Sequence, residues 1–145
     1  MAAVASNLVP LGSMAEALDL ALRAIVAATT RSYNSVATDD PTLTVAQFVN
    51  SITNVSGQTT TQAVTTPTAT AIVAAIPNCQ IGSFFEFVLQ NAQTSSGAVT
   101  LTAGAGVTIS SGSAVPITKT QIYRGIVTAI DTPTVLVYGL LTAPV

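Results

Sequence analysis

Charged side chains are so scarce in this chain that uncharged residues must form most of its surface. Aspartate, glutamate, lysine and arginine make up 7% of the 145 residues, whereas an ordinary soluble domain has about 25%. Hydrophobic residues make up 49% of the chain. A free monomer of this composition would be poorly solvated, so we expect copies of the chain or a larger assembly to cover part of its surface.

The composition also favours β-structure. Valine, alanine and threonine methyl groups supply most of the apolar content, and the chain has only four Phe and three Tyr. Valine and threonine are stiff at χ1 and fit the pleated surface of a sheet. Strands are predicted where apolar and polar residues alternate between glycine and proline turns, at Ser83–Gln90, Ala98–Ala103, Val107–Ile109, Gln121–Ile130 and Thr134–Leu141.

The alternation also predicts which side chains share a face of a strand. Three such groups are Phe85, Phe87 and Leu89; Val99, Leu101 and Ala103, which we expect to point inward; and Ile122, Ile126 and Ile130, which share a face with Arg124. Several short strands separated by turns are typical of a two-layer β fold. The sequence therefore predicts a mainly β protein, with a β-sandwich or jelly-roll-like domain preceded by an N-terminal arm and one α-helix.

The helix is predicted over residues 14–29. Ser13 and Glu16 have the spacing of a capping box, and Met14, Leu18, Leu22 and Ile25 recur at helical spacing. Residues 1–12 lack periodicity and are interpreted as an extended arm, and residues 30–43 are polar and rich in turn formers. We place the boundary there, with an N-terminal arm and helix over 1–41 and a β domain over 42–145.

Shorter elements are predicted at the start of the β domain. Thr44 fits an N-cap before a short helix at Val45–Ile52, for which a strand is the alternative. Thr59–Thr66 is predicted to be a strand or an extended segment. One or two helical turns are expected over Thr68–Ile76, because Pro77 ends the segment.

Catalytic chemistry finds little support in the residues present. The chain has no His, which excludes Ser-His-Asp and Cys-His triads. Its only lysine, Lys119, lacks the spacing of a Ser-Lys pair, and Glu86 alternates with phenylalanines, which favours a paired or rim position at an interface. Asp39 and Asp40 are interpreted as a solvated turn before Pro41, with a calcium site as the less favoured alternative. We predict that the protein is not an enzyme.

Cofactors, metals, nucleic acid and membranes are also not expected. Cys79 is the only cysteine, and zinc would need ligand partners that the sequence lacks. The four basic residues are scattered, whereas binding to nucleic acid needs clustered Lys and Arg. The apolar runs are far shorter than the ~20 residues that a membrane-spanning helix requires.

The predicted strand at Thr134–Leu141 is apolar on both faces. Val135, Val137 and Leu141 point one way, and Leu136, Tyr138 and Leu140 point the other way. In an antiparallel sheet such a strand must be covered on both sides. We therefore predict that a neighbouring subunit covers it, with an interface formed by Val135, Leu136, Val137, Tyr138, Leu140 and Leu141.

Four segments resemble a known group of proteins. They are Pro67–Asn78, Ile81–Phe87, the pair Gln90-Asn91, and Gly97–Ile109. Their order and spacing resemble a β-rich domain that recurs in structural proteins of tailed-bacteriophage virions, including capsid decoration (cement) proteins and head or tail fibre components. With the lead-in at Thr42–Ile52, the resemblance covers roughly residues 42–145 and implies a β-sandwich or jelly-roll-like protomer, usually trimeric and without enzymatic activity.

The resemblance leads to an expected role. The short chain lacks a collagen-like or heptad stalk, which favours a capsid decoration protein made in the host cytoplasm and located on the capsid surface of the virion. We expect a homotrimer that cements major capsid protein subunits, with an arm and helix that contact the capsid or a neighbouring protomer through Leu8, Leu11, Leu18, Leu22 and Ile25. The alternative is a head or tail fibre or adhesin domain that binds a host-surface glycan through exposed aromatic residues.

Overall fold

The computed structural model describes residues 14–22, 31–95 and 97–144, with side chains up to residue 140. It divides into two units, Met1–Thr30 and Arg31–Val145. In the first unit, residues 14–22 form helix α1, and all of its side chains are exposed. The predicted helix is therefore confirmed over these nine residues. Its continuation to residue 29 and the arm at 1–12, with Leu8, Leu11 and Ile25, lie outside the described residues.

The second unit begins earlier than the boundary predicted at residue 41. Residues Ser32–Val36 form strand β1, which pairs in parallel with a strand at Ser51–Val55. The sequence of β1 is mostly polar, and only its final residue, Val36, is buried. Because β1 lies at the edge of its sheet, it needs few apolar side chains, and its alternation was too weak to predict a strand.

Two short helices and eight further strands follow in the described part of this unit. The helices are α2 (Val45–Phe48) and α3 (Ala69–Ala75). The strands are β2 (Ser51–Val55), β3 (Gln62–Thr65), β4 (Phe84–Asn91), β5 (Val99–Thr102), β6 (Val107–Ser111), β7 (Ala114–Val115), β8 (Lys119–Ala129) and β9 (Thr134–Pro144).

The strands form two sheets that share one core. The larger sheet has the order β1-β2-β4-β8-β9-β6, and the smaller has the order β3-β5-β7. The predicted mainly β, sandwich-like architecture is confirmed. A jelly roll is built from antiparallel strands, whereas the pairs β1–β2, β2–β4 and β6–β9 of the larger sheet are parallel. Only the pairings of β8 with β4 and β9 are antiparallel in that sheet.

The core lies between the two sheets. Phe87 is its centre, since its ring lies 4.3 Å from that of Phe48 and stacks at 4.7 Å on Tyr123. The Tyr123 hydroxyl donates a hydrogen bond to the Gly112 carbonyl at 2.6 Å, so its one polar atom is satisfied. Burial raises the pKa of this phenol, which keeps it protonated. The other buried members include Val64, Ile72, Phe85, Leu89, Val99, Leu101, Val115 and Val127.

Most of the predicted faces agree with this core. The groups Phe85, Phe87, Leu89 and Val99, Leu101 are buried as the alternation predicts. Ala103 was expected to point inward and is exposed, because β5 ends at Thr102 and the chain turns away from the sheet.

Two of the predicted interface residues are core residues of the chain itself. Val135 and Val137 are 1% and 0% exposed and pack in the core. Their assignment to a subunit interface is corrected, because both side chains already pack among the core residues of the same chain. The side chain of Leu141 lies outside the described residues. Leu136, Tyr138 and Leu140 remain available as predicted contacts.

The prediction of a short helix after the Thr44 N-cap is correct for the start of α2 and wrong for its end. The Thr44 hydroxyl accepts a hydrogen bond from the Gln47 N–H, and the Gln47 side-chain carbonyl accepts one from the Thr44 N–H, as in a capping box. The helix ends at Phe48 and does not continue to residue 52. Asn50 has a positive φ of 50°, which turns the chain, and Ser51 then begins β2.

The predicted helical turns before Pro77 are confirmed. Helix α3 spans Ala69–Ala75, and the Thr68 hydroxyl caps it by accepting a hydrogen bond from the Ala71 N–H. Its buried residue Ile72 joins the core. The predicted extended segment at 59–66 contains β3, which covers only Gln62–Thr65.

Candidate assembly surface

The larger sheet has a second face, which we call the outer face. Successive side chains of a strand point to opposite sides, so residues that alternate with the buried ones lie on this face. They come from five neighbouring strands. The apolar ones are Tyr33, Ile52, Phe84, Val88, Ile122, Ile126 and Leu136, and they are exposed or half-buried.

The strand register arranges these side chains in two rows. One row joins Phe84, Ile126 and Leu136 across β4, β8 and β9. The other joins Tyr33, Ile52, Val88 and Ile122 across β1, β2, β4 and β8. Side chains directly opposite each other in a sheet are within contact distance. The two rows therefore give the outer face an apolar character over most of its width.

A charged row lies between the two apolar rows. Glu86 of β4 is opposite Arg124 of β8, which is opposite Tyr138 of β9. The Glu86 carboxylate accepts a hydrogen bond of 2.6 Å from Arg124 and another of 2.6 Å from Arg31. The Arg124 guanidinium also lies 5.2 Å from the centre of the Phe84 ring, a cation–π distance. The pairing that the sequence favoured for Glu86 is thus present, and Arg124 shares the face of Ile122 and Ile126 as predicted. Ile130, predicted on the same face, packs against the core instead, because β8 ends at Ala129.

This charged row shifts the ionisation of its members. Hydrogen bonds from Arg124, and then from Arg31, hold the pKa of Glu86 below its usual range, against the opposing effect of partial burial. The hydrogen bond to Glu86 in turn raises the pKa of Arg124. Glu86 and Arg124 are therefore both charged at neutral pH, and the single Glu86 carboxylate accepts hydrogen bonds from two guanidinium groups.

Two polar atoms on these strands are buried without a hydrogen-bond partner. They are the Arg124 Nε and the Asn54 Oδ1. Buried polar atoms are nearly always hydrogen-bonded in native proteins. Both atoms are enclosed by neighbouring side chains, so neither is presented to a partner on the outer face.

The ionisation of Glu86 bears on the chemistry that this surface can perform. Glu86 is held ionised by two arginines, so it is a poor proton donor. Within the described ranges, no three His, Cys, Asp or Glu residues lie close enough to hold a metal ion. No helix among the described residues has both the length and the apolar character needed to cross a membrane.

The predicted contact residues occupy two places in the structure. Leu136 and Tyr138 are half-buried on the outer face, and Leu140 is exposed at an irregularity in the β8–β9 ladder. Leu18 and Leu22 are exposed on α1. The structure adds residues of β1, β2, β4 and β8 to the outer face, which the sequence did not assign to an interface. In β4 and β8 the even-numbered residues alternate with the buried odd-numbered ones, and this pattern could have predicted the outer face.

The chain matches no family model, no curated protein sequence and no solved structure. Its function is therefore inferred from its composition, its fold, the segments quoted above and the outer face.

Proposed function

We propose that this chain is a structural protein of a tailed-bacteriophage virion, which decorates the capsid as a homotrimer and cements major capsid protein subunits. The observation that carries the proposal is the outer face, an apolar face on the sheet side opposite the core. Large contiguous apolar patches are uncommon on monomeric proteins and mark interaction sites. The outer face is therefore suited to form an interface with other subunits.

Two sequence features support a virion role. The segments between Pro67 and Ile109 resemble those of phage decoration and fibre proteins, and charged residues make up only 7% of the chain. A protein that is permanently assembled on a shell needs fewer charges to stay soluble. The proposed location is the capsid surface, after synthesis in the host cytoplasm.

The protein would stabilise the capsid by making several weak contacts at the same time. Trimer contacts are assigned to Leu136, Tyr138 and Leu140, and contacts to the capsid or a neighbouring protomer to the N-terminal segment, including Leu18 and Leu22. Once one contact forms, the others act at high effective concentration, which raises the overall affinity without new chemistry. A shell held in this way would resist internal DNA pressure better than an undecorated shell.

The test uses capsids that lack this protein, assembled from the major capsid protein of the same phage. The purified full chain should have the mass of a trimer by light scattering and should co-sediment with the capsids to saturation. The variant Leu136→Glu should lower both, whereas Ile81→Glu, which changes an exposed residue outside the strands, should lower neither. A monomer that leaves the capsids bare would refute the proposal.

Glycan binding in a fibre or adhesin is the second candidate, and one observation favours it. Tyr33 and Phe84 are each 64% exposed on the outer face, and exposed aromatic rings offer a flat apolar surface to a sugar. A glycan array distinguishes the two functions, since a cement protein should give no signal. A signal that disappears in Phe84→Ala and Tyr33→Ala would favour the adhesin.

A further inference from the structure

In the part of the chain that the structure describes, the two sheets end in four edge strands. They are β1 and β6 in the larger sheet and β3 and β7 in the smaller. An edge strand presents N–H and C=O groups that can pair with another chain, and native proteins usually shorten, distort or cover such strands. Strand β7 is only two residues long. Strand β6 has an irregular register between Ile109 and Ser111, which interrupts regular pairing.

The free edge of β3 is covered by a preceding segment of the same chain. The Thr65 N–H donates a hydrogen bond to the Pro41 carbonyl, and the Leu43 N–H donates one to the Thr65 carbonyl, each at 2.8 Å. The Asp40 carboxylate accepts a hydrogen bond of 2.7 Å from the Ala63 N–H. Three of these four edges are therefore short, irregular or covered.

Strand β1 has none of these protections. Its register with β2 is unbroken from Ser32 to Val36, and its sequence has no charged residue and no proline. The Val36 carbonyl accepts a hydrogen bond of 3.1 Å from the Ser56 N–H, so the backbone groups of Val36 face β2. Since the backbone groups of successive strand residues point to opposite sides, those of Tyr33 and Ser35 point to the free edge. No residue in the described ranges forms a hydrogen bond with these four groups.

We propose that the free edge of β1 pairs with β1 of a second copy, antiparallel and about a twofold axis. The inference goes beyond the proposed function and stands without it. With Asn34 at the axis, Tyr33 of each copy lies opposite Ser35 of the other. Residues opposed in this way exchange both of their main-chain hydrogen bonds. Four hydrogen bonds then join the two strands and use all the backbone groups that Tyr33 and Ser35 direct to the edge.

The chemistry of this edge favours a second copy as the partner. A twofold contact joins one surface to itself, so that surface must be complementary to itself. The edge has two N–H donors and two C=O acceptors, and β1 has no charged side chain that would face a like charge across the axis. The scarcity of charge in the chain, 7% of its residues, also indicates that copies cover one another.

The contact is small, so it is weak on its own. Only five residues of each copy pair, and two strands without further layers are marginally stable in water. In the homotrimer of the proposed function, each protomer would have one such edge. The pairing would then link trimers that are held close together, while a dilute trimer would keep its own mass.

A single-cysteine experiment tests both the pairing and its register. Asn34→Cys is made in the full-length chain with Cys79→Ala, so that the new thiol meets its own copy at the axis. Directly opposite residues of a non-hydrogen-bonded pair have Cα atoms about 4.5 Å apart, which a disulfide can bridge. The matched control is Ser32→Cys on the same face of β1. In the proposed register, its Cα lies roughly 14 Å from that of its copy.

The expected result is at least tenfold more disulfide-linked dimer from Asn34→Cys than from Ser32→Cys, after mild oxidation with oxidised glutathione at high protein concentration. Pairing raises the effective concentration of the two thiols at the axis, whereas random collision would favour the more exposed Ser32. Equal yields, or no linked dimer from either variant, would overturn the proposal. Circular dichroism verifies that each variant is folded before oxidation.

A proline substitution provides a second measurement. Ser35→Pro removes an N–H that faces the free edge, and proline is tolerated at such edge positions, so the fold should persist. Added to Asn34→Cys, it should lower the yield of linked dimer by about tenfold, whereas Ser35→Ala should leave the yield unchanged. Equal effects of proline and alanine would contradict main-chain pairing.

The same variants separate this proposal from the proposed function. If Ser35→Pro abolishes co-sedimentation with capsids and Asn34→Cys gives no linked dimer, the edge belongs to a strand of the major capsid protein, and self-pairing is refuted. Linked dimers from a chain that leaves capsids bare would support the pairing of β1 and refute the capsid role alone.

Discussion

The two faces of the larger sheet are built from the same strands and from similar residues, yet they have different environments. Phe84 and Phe85 are adjacent in the sequence, and their exposed fractions are 64% and 2%. The Phe85 ring contacts the buried Phe48 ring of helix α2, whereas the Phe84 ring contacts Arg124 at the surface. The comparison teaches that hydrophobicity selects residues for burial, and that the presence of a covering layer decides which of them are buried.

The inner face of the larger sheet is also more tightly packed than the outer face. Gly125 of β8 is opposite Phe85 on the inner face, and a Cβ atom there would lie 2.2 Å from the Phe85 ring. The inner face has no space for even one methyl group at this point. On the outer face the neighbouring residue Arg124 is a long side chain that is 38% exposed.

The two faces should differ most in the unfolding free energy that is lost when one aromatic ring is removed from each. Phe87→Ala removes the ring that contacts both Phe48 and Tyr123 and should lower the free energy of unfolding by about 3–5 kcal/mol. Phe84→Ala should lower it by about 1 kcal/mol or less, because the ring is already in contact with water. Urea denaturation followed by circular dichroism measures both values. Similar losses for the two variants would contradict the distinction between the faces.

A smaller effect is expected from adding one carbon to the inner face. Gly125→Ala should destabilise the fold by about 1–3 kcal/mol, since the new methyl group overlaps the Phe85 ring. Combining it with Phe85→Leu should restore part of that loss, which shows as a non-additive double-mutant cycle. Additive effects of the two changes would show that the contact is not the cause.

The smallest effect is expected from the charged row of the outer face. Glu86→Gln should cost about 1 kcal/mol at pH 7, as is usual for partly exposed ion pairs in a network. The folded-state pKa of Glu86 lies below the unfolded value near 4.5, so this stabilisation is complete above pH 4.5 and disappears as the pH falls through the folded-state pKa. The urea midpoints of the two proteins should differ at pH 7 and converge in strong acid. A difference that is unchanged in acid would exclude the carboxylate as its source.

Local patterns in the sequence account for much of the inner face. Alternation places Phe85, Phe87 and Leu89 in the core, and the Thr44 and Thr68 caps mark the starts of two helices. These signals depend on neighbours a few residues away, so a single sequence contains them.

Longer-range features were not predictable in the same way. Arg31 and Glu86 are 55 residues apart, and β1 becomes a strand only because β2 lies beside it. For β9, both faces are apolar, and nothing local distinguishes Val135 and Val137, which are buried, from Leu136. The choice of the inner face depends on which side receives the second layer, a property of the tertiary fold.

The strand order also has a consequence for the protein during its synthesis. Strand β4 pairs with β8, and β6 pairs with β9. The larger sheet can therefore form completely only after residues 119–144 have been synthesised. Until those residues leave the ribosome, Phe85, Phe87 and Leu89 have no strand beside them on one side and an incomplete core. Non-local pairing of this kind slows folding and exposes apolar strands to aggregation. Until β8 and β9 are made, the growing chain therefore contains apolar strands whose pairing is incomplete.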